Sequence, residues 1–517
     1  MAMMLGILFL VVVAVLSLCA FLKPLSRDAK SPSLPPGPRG LPVLGYLPFL
    51  GDNLQSKFSE LADVYGPIYK LKLGRKVYVV VNSPVIAKEI VREQDSNFSH
   101  RRPNIASFIL SYRGRDIAFS NYGPYWRMMR KLFVKEIMSG QSLNACYDLR
   151  RSAVRKSVAE VWEMAGLSVD VGKLALQVMI NAMISMLWGN SNGEDSGANV
   201  DSEFKLVMKK LMELLAKPNV SDFFPVLSWF DLQGVQKQAR EVNSWFDRFH
   251  DSLIRAATDE GKRRSSDKGK DLLQVMLQLD FKSEEDLTRT PGNNNQEIKG
   301  MLQDIVVGGT DTTATTIEWV MAELLQHQYV MQSVREELTE VIGIDSMVEE
   351  YHLPKLKYLK AVVKETMRLH PPLPLLVPRT PDCSCVVGGY TIPKGSMVFL
   401  NMAYIHTDPK LWTNPKDFMP ERFLKEPDKF EFSGNNSVYL PFGSGRRICA
   451  GLPLAEKMLM FVLANFLHSF DWELPEGTTL EFSADLGIVS RKRTPLEAIP
   501  RPRLVNQEFY SARVAAK

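Results

Sequence analysis

The stretch PFGSGRRICAG, residues 441–451, sets the strongest constraint on the fold. Its three glycines allow a tight turn that can lie flat against a planar partner. An apolar run with helical spacing follows, so a helix is predicted to begin at about Gly451 or Leu452. Cys449 therefore stands at a helix N-terminus, directly after Arg446 and Arg447, and both features lower the pKa of a thiol. The stretch predicts a stabilised thiolate at Cys449.

Three kinds of chemistry could use this thiolate. A cysteine nucleophile needs a partnering base, and the seven histidines show no local arrangement that supplies one. Zinc needs further ligands nearby, whereas a haem iron needs a single protein thiolate. The other four cysteines, Cys19, Cys146, Cys383 and Cys385, are too few and too irregularly spaced for a disulfide framework, which favours a reducing compartment.

A second unusual stretch is IVVGGTDTTATTIEW, residues 305–319, inside a helix predicted from about Gln296 to Gln328. Each glycine costs a helix about 1 kcal/mol relative to alanine, so some gain must compensate. Gly308 and Gly309 would let a ligand approach the backbone, and Asp311 beside Thr312 is a possible proton-donor pair. The alternative is that the glycines serve close packing against another helix.

A third pattern is the pair Glu365 and Arg368, which share one face of a predicted helix. Many such pairs are solvated and contribute little to stability. Apolar neighbours and the proline-rich exit HPPLPLLVP allow the alternative, a buried pair, which requires further partners. Arg422 in FMPERF is one candidate.

These motifs together resemble the cytochrome P450 haem-thiolate monooxygenases. Residues 442–451 match the family pattern F-x-x-G-x-R-x-C-x-G, at Phe442, Gly445, Arg447, Cys449 and Gly451. GGTDTT at 308–313 is similar to the oxygen-activating helix motif, and PERF at 420–423 is similar to the motif that joins the E-x-x-R pair. The resemblance covers essentially the whole chain and implies a mainly α fold with a small β portion.

The resemblance implies a haem b cofactor and assigns the residues around it. Cys449 would be the iron ligand, and Thr312 with Asp311 would be the acid–alcohol pair that delivers protons during dioxygen activation. Gly308 and Gly309 would leave room above the haem, and Glu365, Arg368 and Arg422 would be structural. The remaining haem contacts would come from Phe442, Gly443, Trp126, Arg130, Arg379 and Arg447.

The N-terminus predicts a membrane anchor. Residues 4–22 carry no charge and are just long enough to span a bilayer. Residues 23–42 form a basic and proline-rich hinge, which predicts a single-pass protein with its catalytic domain, residues 43–517, in the cytosol. The alternative is a cleaved secretory signal, against which the cysteine set argues. The resemblance implies the endoplasmic reticulum membrane and electrons from NADPH through cytochrome P450 reductase.

Family position also implies the substrate-facing side chains, and these are apolar: Ile105, Phe108, Ile109, Leu375, Leu376, Ile488 and Val489. Such a pocket suits a small lipophilic molecule. The aromatic segment at 217–231 is predicted to dip into the bilayer, with a buried core segment as the alternative. The net charge of +5 is a weak signal, and scattered basic pairs without a recognition motif predict no nucleic-acid partner.

The expected function is an NADPH- and O2-dependent monooxygenase that hydroxylates a lipophilic plant metabolite. The sequence is similar to plant microsomal A-type enzymes, and within them to a family of sesquiterpene and flavone hydroxylases. A sesquiterpene is the first expectation, because the predicted pocket has few polar groups, and a flavonoid is the alternative. A haem-thiolate isomerase or dehydratase without a reductase is an alternative from another class, which the Asp311–Thr312 motif disfavours. A non-enzymatic haem or membrane-scaffold protein would leave that motif unexplained.

Overall fold

The computed structural model describes residues 32–51, 53–189, 197–261, 271–279, 281 and 294–510. The predicted anchor, residues 1–22, and the first part of the hinge lie outside these ranges. Among the described residues, no helix is both long and apolar enough to cross a membrane.

Helices make up most of the described chain. In chain order they are α1 (Leu54–Tyr65), α2 (Pro84–Lys88), α3 (Ile105–Leu110), α4 (Pro124–Leu132), α5 (Gly140–Ala145), α6 (Tyr147–Glu163), α7 (Val171–Trp188), α8 (Gly197–Ala216), α9 (Val220–Phe223), α10 (Val235–Gly261), α11 (Leu272–Leu277), α12 (Asn295–Gln326), α13 (Gln328–Ile342), α14 (Lys357–Leu369), α15 (Met402–His406), α16 (Glu421–Lys425) and α17 (Leu452–Ser469).

The strands are short and form four small sheets. They are β1 (Ile68–Leu73), β2 (Lys76–Val81), β3 (Val169–Asp170), β4 (Cys385–Val387), β5 (Tyr390–Ile392), β6 (Met397–Leu400), β7 (Phe470–Glu473), β8 (Ala484–Leu486), β9 (Ser490–Lys492) and β10 (Glu497–Pro502). The first sheet has the order β1-β2-β6, the second β3-β10-β7, and β4-β5 and β8-β9 are antiparallel pairs.

Local sequence explains where the main elements begin. Asp170 caps α7, because its carboxylate accepts a hydrogen bond from the Lys173 N–H. Proline occupies the first turn of α17, where a missing N–H costs nothing. The β1–β2 hairpin turns at Gly74, whose φ of +58° favours glycine. The long helix predicted from about Gln296 to Gln328 is confirmed to within two residues.

The core is built around α12, which packs along α7 and also contacts α14 and α17. Its second half, from Thr313 to Leu325, is buried throughout. α17 is buried from Met458 onward, so its first turns, next to Cys449, are the part that stays accessible. The site described below lies between the beginning of α17 and the middle of α12.

Two segments differ from simple expectations. The proline-rich part of the predicted hinge is attached to the sheets from its first described residues, since Ser33 O accepts from the Thr391 N–H at 3.0 Å and Pro36 O accepts from the Lys70 N–H at 2.8 Å. The aromatic segment after α9 is not a core element, because its 3₁₀ turn Pro225–Phe230 buries none of its residues. Val226, Trp229, Phe230 and Leu232 are between 63% and 92% exposed, and we call these four side chains the apolar tip.

Candidate active site

The loop at residues 441–451, called the proximal loop below, is folded into a fixed turn. The Cys449 N–H donates to Phe442 O at 2.9 Å. Gly443 and Gly445 have φ values of +73° and +64°, a region that other residues rarely adopt. A Cβ atom on Gly445 would also come within 2.5 Å of Asp95 Oδ1. Glycine is therefore required at these two positions to shape the loop.

Cys449 lies deep in the protein, yet its side chain is accessible, as in the wall of an internal cleft. Burial raises the pKa of its thiol, and the N–H groups of Gly451 and Leu452 and the charge of Arg130 act in the opposite direction. The helix N-terminus therefore contributes as expected, but burial outweighs it, and the pKa of the thiol is raised where the sequence predicted a lowered one. The expected effect of Arg446 and Arg447 is wrong, because both side chains turn to other partners.

The side chains of Arg446 and Arg447 bind partners other than Cys449. Arg446 Nη1 forms an ion pair with Asp95 Oδ2 at 3.0 Å. Arg447 lies 4.4 Å from the centre of the Trp126 ring and donates to three main-chain carbonyls, at 2.6–3.0 Å. The cation that acts on the thiol is instead Arg130, from α4, whose guanidinium lies 5.7 Å from the centre of the Trp126 ring.

Arg101, Arg379 and Arg447 bring three cations together in the interior. Burial lowers the pKa of each of them, that of Arg447 to about 9. The charges of Arg447 and Arg379 further lower the pKa of Arg101, and Asp95, which binds Arg379 at 2.9 Å, balances only part of the charge. Arg101 Nε is buried without a hydrogen-bond partner in the described chain. Such a cluster calls for an anion.

The loop before α4, which adjoins this cluster, is hydrogen-bonded to α12. Asp304 accepts a hydrogen bond from the Ile117 N–H at 2.6 Å, and Ile117 O accepts from Trp126 Nε1 at 3.0 Å. Burial raises the pKa of Asp304, and so does the charge of Asp116, whose own pKa burial raises to about 7. Asp116 and Asp304 therefore form a pair of neighbouring carboxyls in which each charge disfavours the other.

The distal helix α12 is continuous through GGTDTT, with no break at the glycines. A Cβ on Gly308 would meet nothing within 4 Å, so the helix has open space on this side. Gly309 differs from the expectation, because its Cβ would lie 3.1 Å from Met183 Sδ on α7. Gly308 thus provides room for a ligand, and Gly309 provides close helix packing. Thr312 Oγ1 donates to Gly308 O at 2.7 Å.

The E-x-x-R pair is fully buried and bidentate. Arg368 Nε and Nη2 donate to the two Glu365 oxygens at 2.7 and 2.8 Å, and Arg422 Nε donates to Glu365 Oε1 at 3.0 Å. Arg368 also binds the main-chain carbonyls of His406, Pro415 and Asp417. The three residues therefore join α14 to α16 and the segment before it, away from any open space.

The residues predicted to face a substrate fall into two groups. Ile105, Ile109, Leu376 and Ile488 are partly buried, and Phe108 is 45% exposed. Leu375 and Val489 differ from the expectation, because both are buried in apolar clusters, Leu375 with Tyr69 and Leu71 of β1. Dense packing leaves these two side chains little surface for a ligand.

Two residues of the site were not predicted from the sequence. Arg101 belongs to the interior arginine cluster, and the charged pair Arg101-Arg102 shortly before the apolar helix α3 was a usable signal. Arg491 contacts Asp311 across 180 positions of the chain. No local pattern could have paired them.

The residues present fit a haem. The thiol of Cys449 is accessible just before α17, and Gly308 leaves open space on α12, which contacts α17. The three buried arginines, with an unpartnered Arg101 Nε, suit the two anionic propionates. Phe442 forms an edge-to-face contact with Phe432, at 4.9 Å between ring centres, which holds the proximal loop in position. Cys449 would hold the iron, and Trp126, Arg101, Arg379 and Arg447 would hold the propionate side.

Comparisons with known proteins agree with this site. The family model described as cytochrome P450 matches residues 35–498. A flavonoid 3'-monooxygenase of Crocosmia x crocosmiiflora is 38% identical over 492 residues, covering 93% of this chain and 95% of its own. A flavonoid 3',5'-hydroxylase of Campanula medium is 34% identical over 515 residues, covering 96% and 97%.

Solved structures agree as well. A zebrafish cytochrome P450 structure with progesterone superposes with a TM-score of 0.74 and 25% identity, covering 87% of this chain and all of that one. The fold predicted from the motifs, mainly α with a small β portion, is confirmed for the catalytic body. The matched span and the sequence relatives both lead to one conclusion: this chain belongs to the cytochrome P450 family of haem-thiolate monooxygenases.

Proposed function

We propose that this protein is an NADPH-dependent monooxygenase that hydroxylates a flavonoid. The observation that carries the proposal is its 34–38% identity, over more than nine-tenths of the chain, to plant flavonoid 3'-monooxygenases and 3',5'-hydroxylases. Similarity over the whole length includes the segments that surround a substrate as well as the haem site. It favours the flavonoid alternative over the sesquiterpene expectation, which rested on the apolar character of seven side chains.

The chain's own residues support such a reaction in distinct ways. A bound haem would supply the activation of dioxygen, held by a thiolate that favours O–O cleavage. Thr312, whose hydroxyl lies beside the open face of α12, would hold a proton near that space. Asp311 would exchange protons with it, and the buried Glu365–Arg368 pair would keep the proximal side rigid.

We also propose where the enzyme works. The uncharged segment at 4–22 would anchor it in the endoplasmic reticulum membrane, and the apolar tip would touch the same bilayer. The catalytic domain would face the cytosol and receive electrons from NADPH–cytochrome P450 reductase. A lipophilic substrate could then enter from the membrane.

The test uses microsomes that contain the full chain and a plant reductase. A flavanone, a flavone, a flavonol and two sesquiterpene hydrocarbons are each incubated with and without NADPH, and products that gain one oxygen atom are sought by mass spectrometry. The expected result is an NADPH-dependent, ring-hydroxylated flavonoid. Microsomes with the Cys449→Ala variant are the matched control.

The outcomes separate the alternatives. Oxidation of the sesquiterpenes alone would refute the flavonoid substrate and leave the monooxygenase class intact. A rearranged or dehydrated product formed without reductase would instead indicate an isomerase or dehydratase. A wild-type protein without a thiolate-type band in its reduced-CO spectrum would contradict the haem assignment itself.

A further inference from the structure

The carboxylate of Asp311 is held on one side only. Its side chain is 6% exposed, and Oδ1 accepts a hydrogen bond from Arg491 Nη2. Oδ2 is also buried, and it has no hydrogen-bond partner within the described ranges of the chain. A buried carboxylate oxygen without a partner is costly, so this arrangement requires an explanation.

Asp311 and Thr312 are adjacent on α12 but are bound to different partners. The Thr312 hydroxyl donates along its own helix to Gly308 O, beside the open space. Asp311 lies about 100° further around the helix and turns to β9. The Asp311 carboxylate is therefore positioned by Arg491 and not by the Thr312 hydroxyl. Because Arg491 binds Oδ1, the Oδ2 atom of Asp311 remains available to exchange a proton.

Strand β9 is anchored to the elements around the site. Ser490 O accepts from Trp319 Nε1 of α12 at 3.2 Å, and the Ser490 N–H donates to Pro372 O at 2.9 Å. Arg491 follows directly, so its main chain has little freedom relative to α12. Its side chain is 45% exposed, whereas that of Asp311 is nearly covered. The Arg491–Asp311 ion pair thus extends from the buried carboxylate to the solvent-exposed side of Arg491.

Strand β9 also adjoins two of the predicted substrate positions. Ile488 and Val489 immediately precede Ser490, and Ile488 is partly buried. Val489 is buried, so Ile488, three positions before Arg491, is the one of the two that has surface for a ligand. The residue that holds the acid therefore follows closely after a predicted substrate position.

We propose that Arg491 is a positioning residue for proton delivery, which holds the Asp311 carboxylate from β9. Arg491 transfers no proton itself. It keeps one carboxylate oxygen bound and the other available, and it offsets the cost of a buried charge. The inference rests on the proposed monooxygenase function and deepens it.

The chain offers a matched control for this role. Arg493 lies two residues further along and pairs with Asp485 at 2.8 Å, with both side chains more than half exposed. Arg493→Gln removes the same charge from the same segment without touching Asp311. Arg491→Gln removes the proposed contact, and Arg491→Lys retains a cation that can reach Asp311.

The first measurement needs no substrate. The free energy of unfolding is measured in urea for the wild type, Arg491→Gln, Asp311→Asn and the double variant, all loaded with haem. In this double-mutant cycle, the effects of Arg491→Gln and Asp311→Asn on the free energy of unfolding should not add, because the two charges are in contact. In the corresponding cycle of Arg493→Gln with Asp311→Asn, the two effects should add. An Arg491 cycle that is additive would overturn the proposal, whichever compound the enzyme oxidises.

The second measurement is the ratio of product to NADPH consumed, with hydrogen peroxide and the substrate-induced spectral shift recorded in parallel. For Arg491→Gln we expect this ratio to fall several-fold and peroxide to rise, while the spectral shift stays as in the wild type. Arg491→Lys should recover most of the ratio, and Arg493→Gln should not change it.

An unchanged ratio in Arg491→Gln, or an equal loss in Arg493→Gln, would overturn the proposal. If Arg491→Gln does not fold, the Arg491→Lys variant decides: a wild-type ratio and a non-additive cycle with Asp311→Asn support the role, and an additive cycle refutes it. Failure of the flavonoid proposal has a different signature, since the wild type itself would then give no flavonoid product.

Discussion

Single residues decide whether the proximal loop can bind iron. We expect Cys449→Ala to abolish the thiolate-type Soret band of the reduced-CO complex, because the described chain provides no second sulfur ligand in this loop. Cys383→Ser is the matched control, since Cys383 is also an accessible free cysteine, near β4. It should leave the band unchanged. A Cys449→Ala protein that kept the band would refute the ligand assignment.

A second prediction at this scale concerns the Thr312 hydroxyl. Thr312→Ala should lower the amount of product per NADPH roughly tenfold or more and raise peroxide, as expected when a proton donor is lost. Thr310→Ala is the control, because Thr310 Oγ1 makes the same kind of bond, to Val306 O at 2.8 Å, one position before Asp311. Equal uncoupling in both variants would indicate a helix defect and contradict a specific role for Thr312.

At the scale of elements, the ion network between α14 and α16 should be a large contribution to stability. Arg368 is fully buried, so Arg368→Ala leaves Arg422 as the only cation bound to Glu365 within the described chain and removes the donor to three main-chain carbonyls. We expect a loss of about 3–5 kcal/mol in the free energy of unfolding. Urea unfolding followed by circular dichroism measures this loss. Lys429→Ala breaks the exposed pair with Glu426 and should cost at most about 1 kcal/mol. Similar losses in the two variants would contradict a structural role for the buried pair.

The end of α12 carries a cluster that should respond to pH. Glu323 binds His370 at 2.6 Å and His327 at 3.2 Å. The hydrogen bond to Glu323 raises the pKa of His327 above 6.5, and the two histidines outweigh burial and lower the pKa of Glu323 below 4.5. A raised histidine pKa stabilises the fold fully below pH 6.5, and this contribution is lost as the pH rises through the folded pKa.

Thermal unfolding at intervals from pH 5 to 8 tests this link. The melting temperature of the wild type should decline above pH 6.5 as His327 loses its proton. The His327→Gln variant should not show this part of the decline. The Glu323 contribution has the opposite sign and is lost only as the pH falls below 4.5, so it does not interfere within this range. Identical pH profiles for the two proteins would contradict the assignment.

Across the whole molecule, the sequence could predict what neighbouring residues determine. The β1–β2 hairpin, the long helix and the helix after Cys449 follow from local patterns, and the chain folds as those patterns indicate. Contacts between distant segments could not be predicted in this way. Arg130, more than 300 positions away, supplies the cation near Cys449, whereas the adjacent Arg446 and Arg447 bind elsewhere, because backbone geometry turns their side chains to Asp95 and to main-chain carbonyls.

The last prediction concerns how the whole enzyme meets a membrane. The full chain should resist extraction by alkaline carbonate, as a protein with an uncharged 19-residue segment at 4–22 would. A protein of residues 23–517 should be extracted but should still bind phospholipid vesicles through the apolar tip. Burying each of its aromatic rings is worth about 1.5–3 kcal/mol, so Trp229→Ser with Phe230→Ser should weaken vesicle binding at least about tenfold.

The comparison requires equally exposed apolar residues from another part of the surface. Tyr351 and Val505 are 70% and 73% exposed, so Tyr351→Ser with Val505→Ser removes exposed apolar surface outside the tip. Vesicle binding is measured by sedimentation at the same lipid concentration for all proteins. If the control pair weakens binding as much as the tip pair, the contact is unspecific and the tip has no special role. If neither pair changes binding, another surface faces the bilayer, and the proposed contact of the apolar tip with the membrane is refuted.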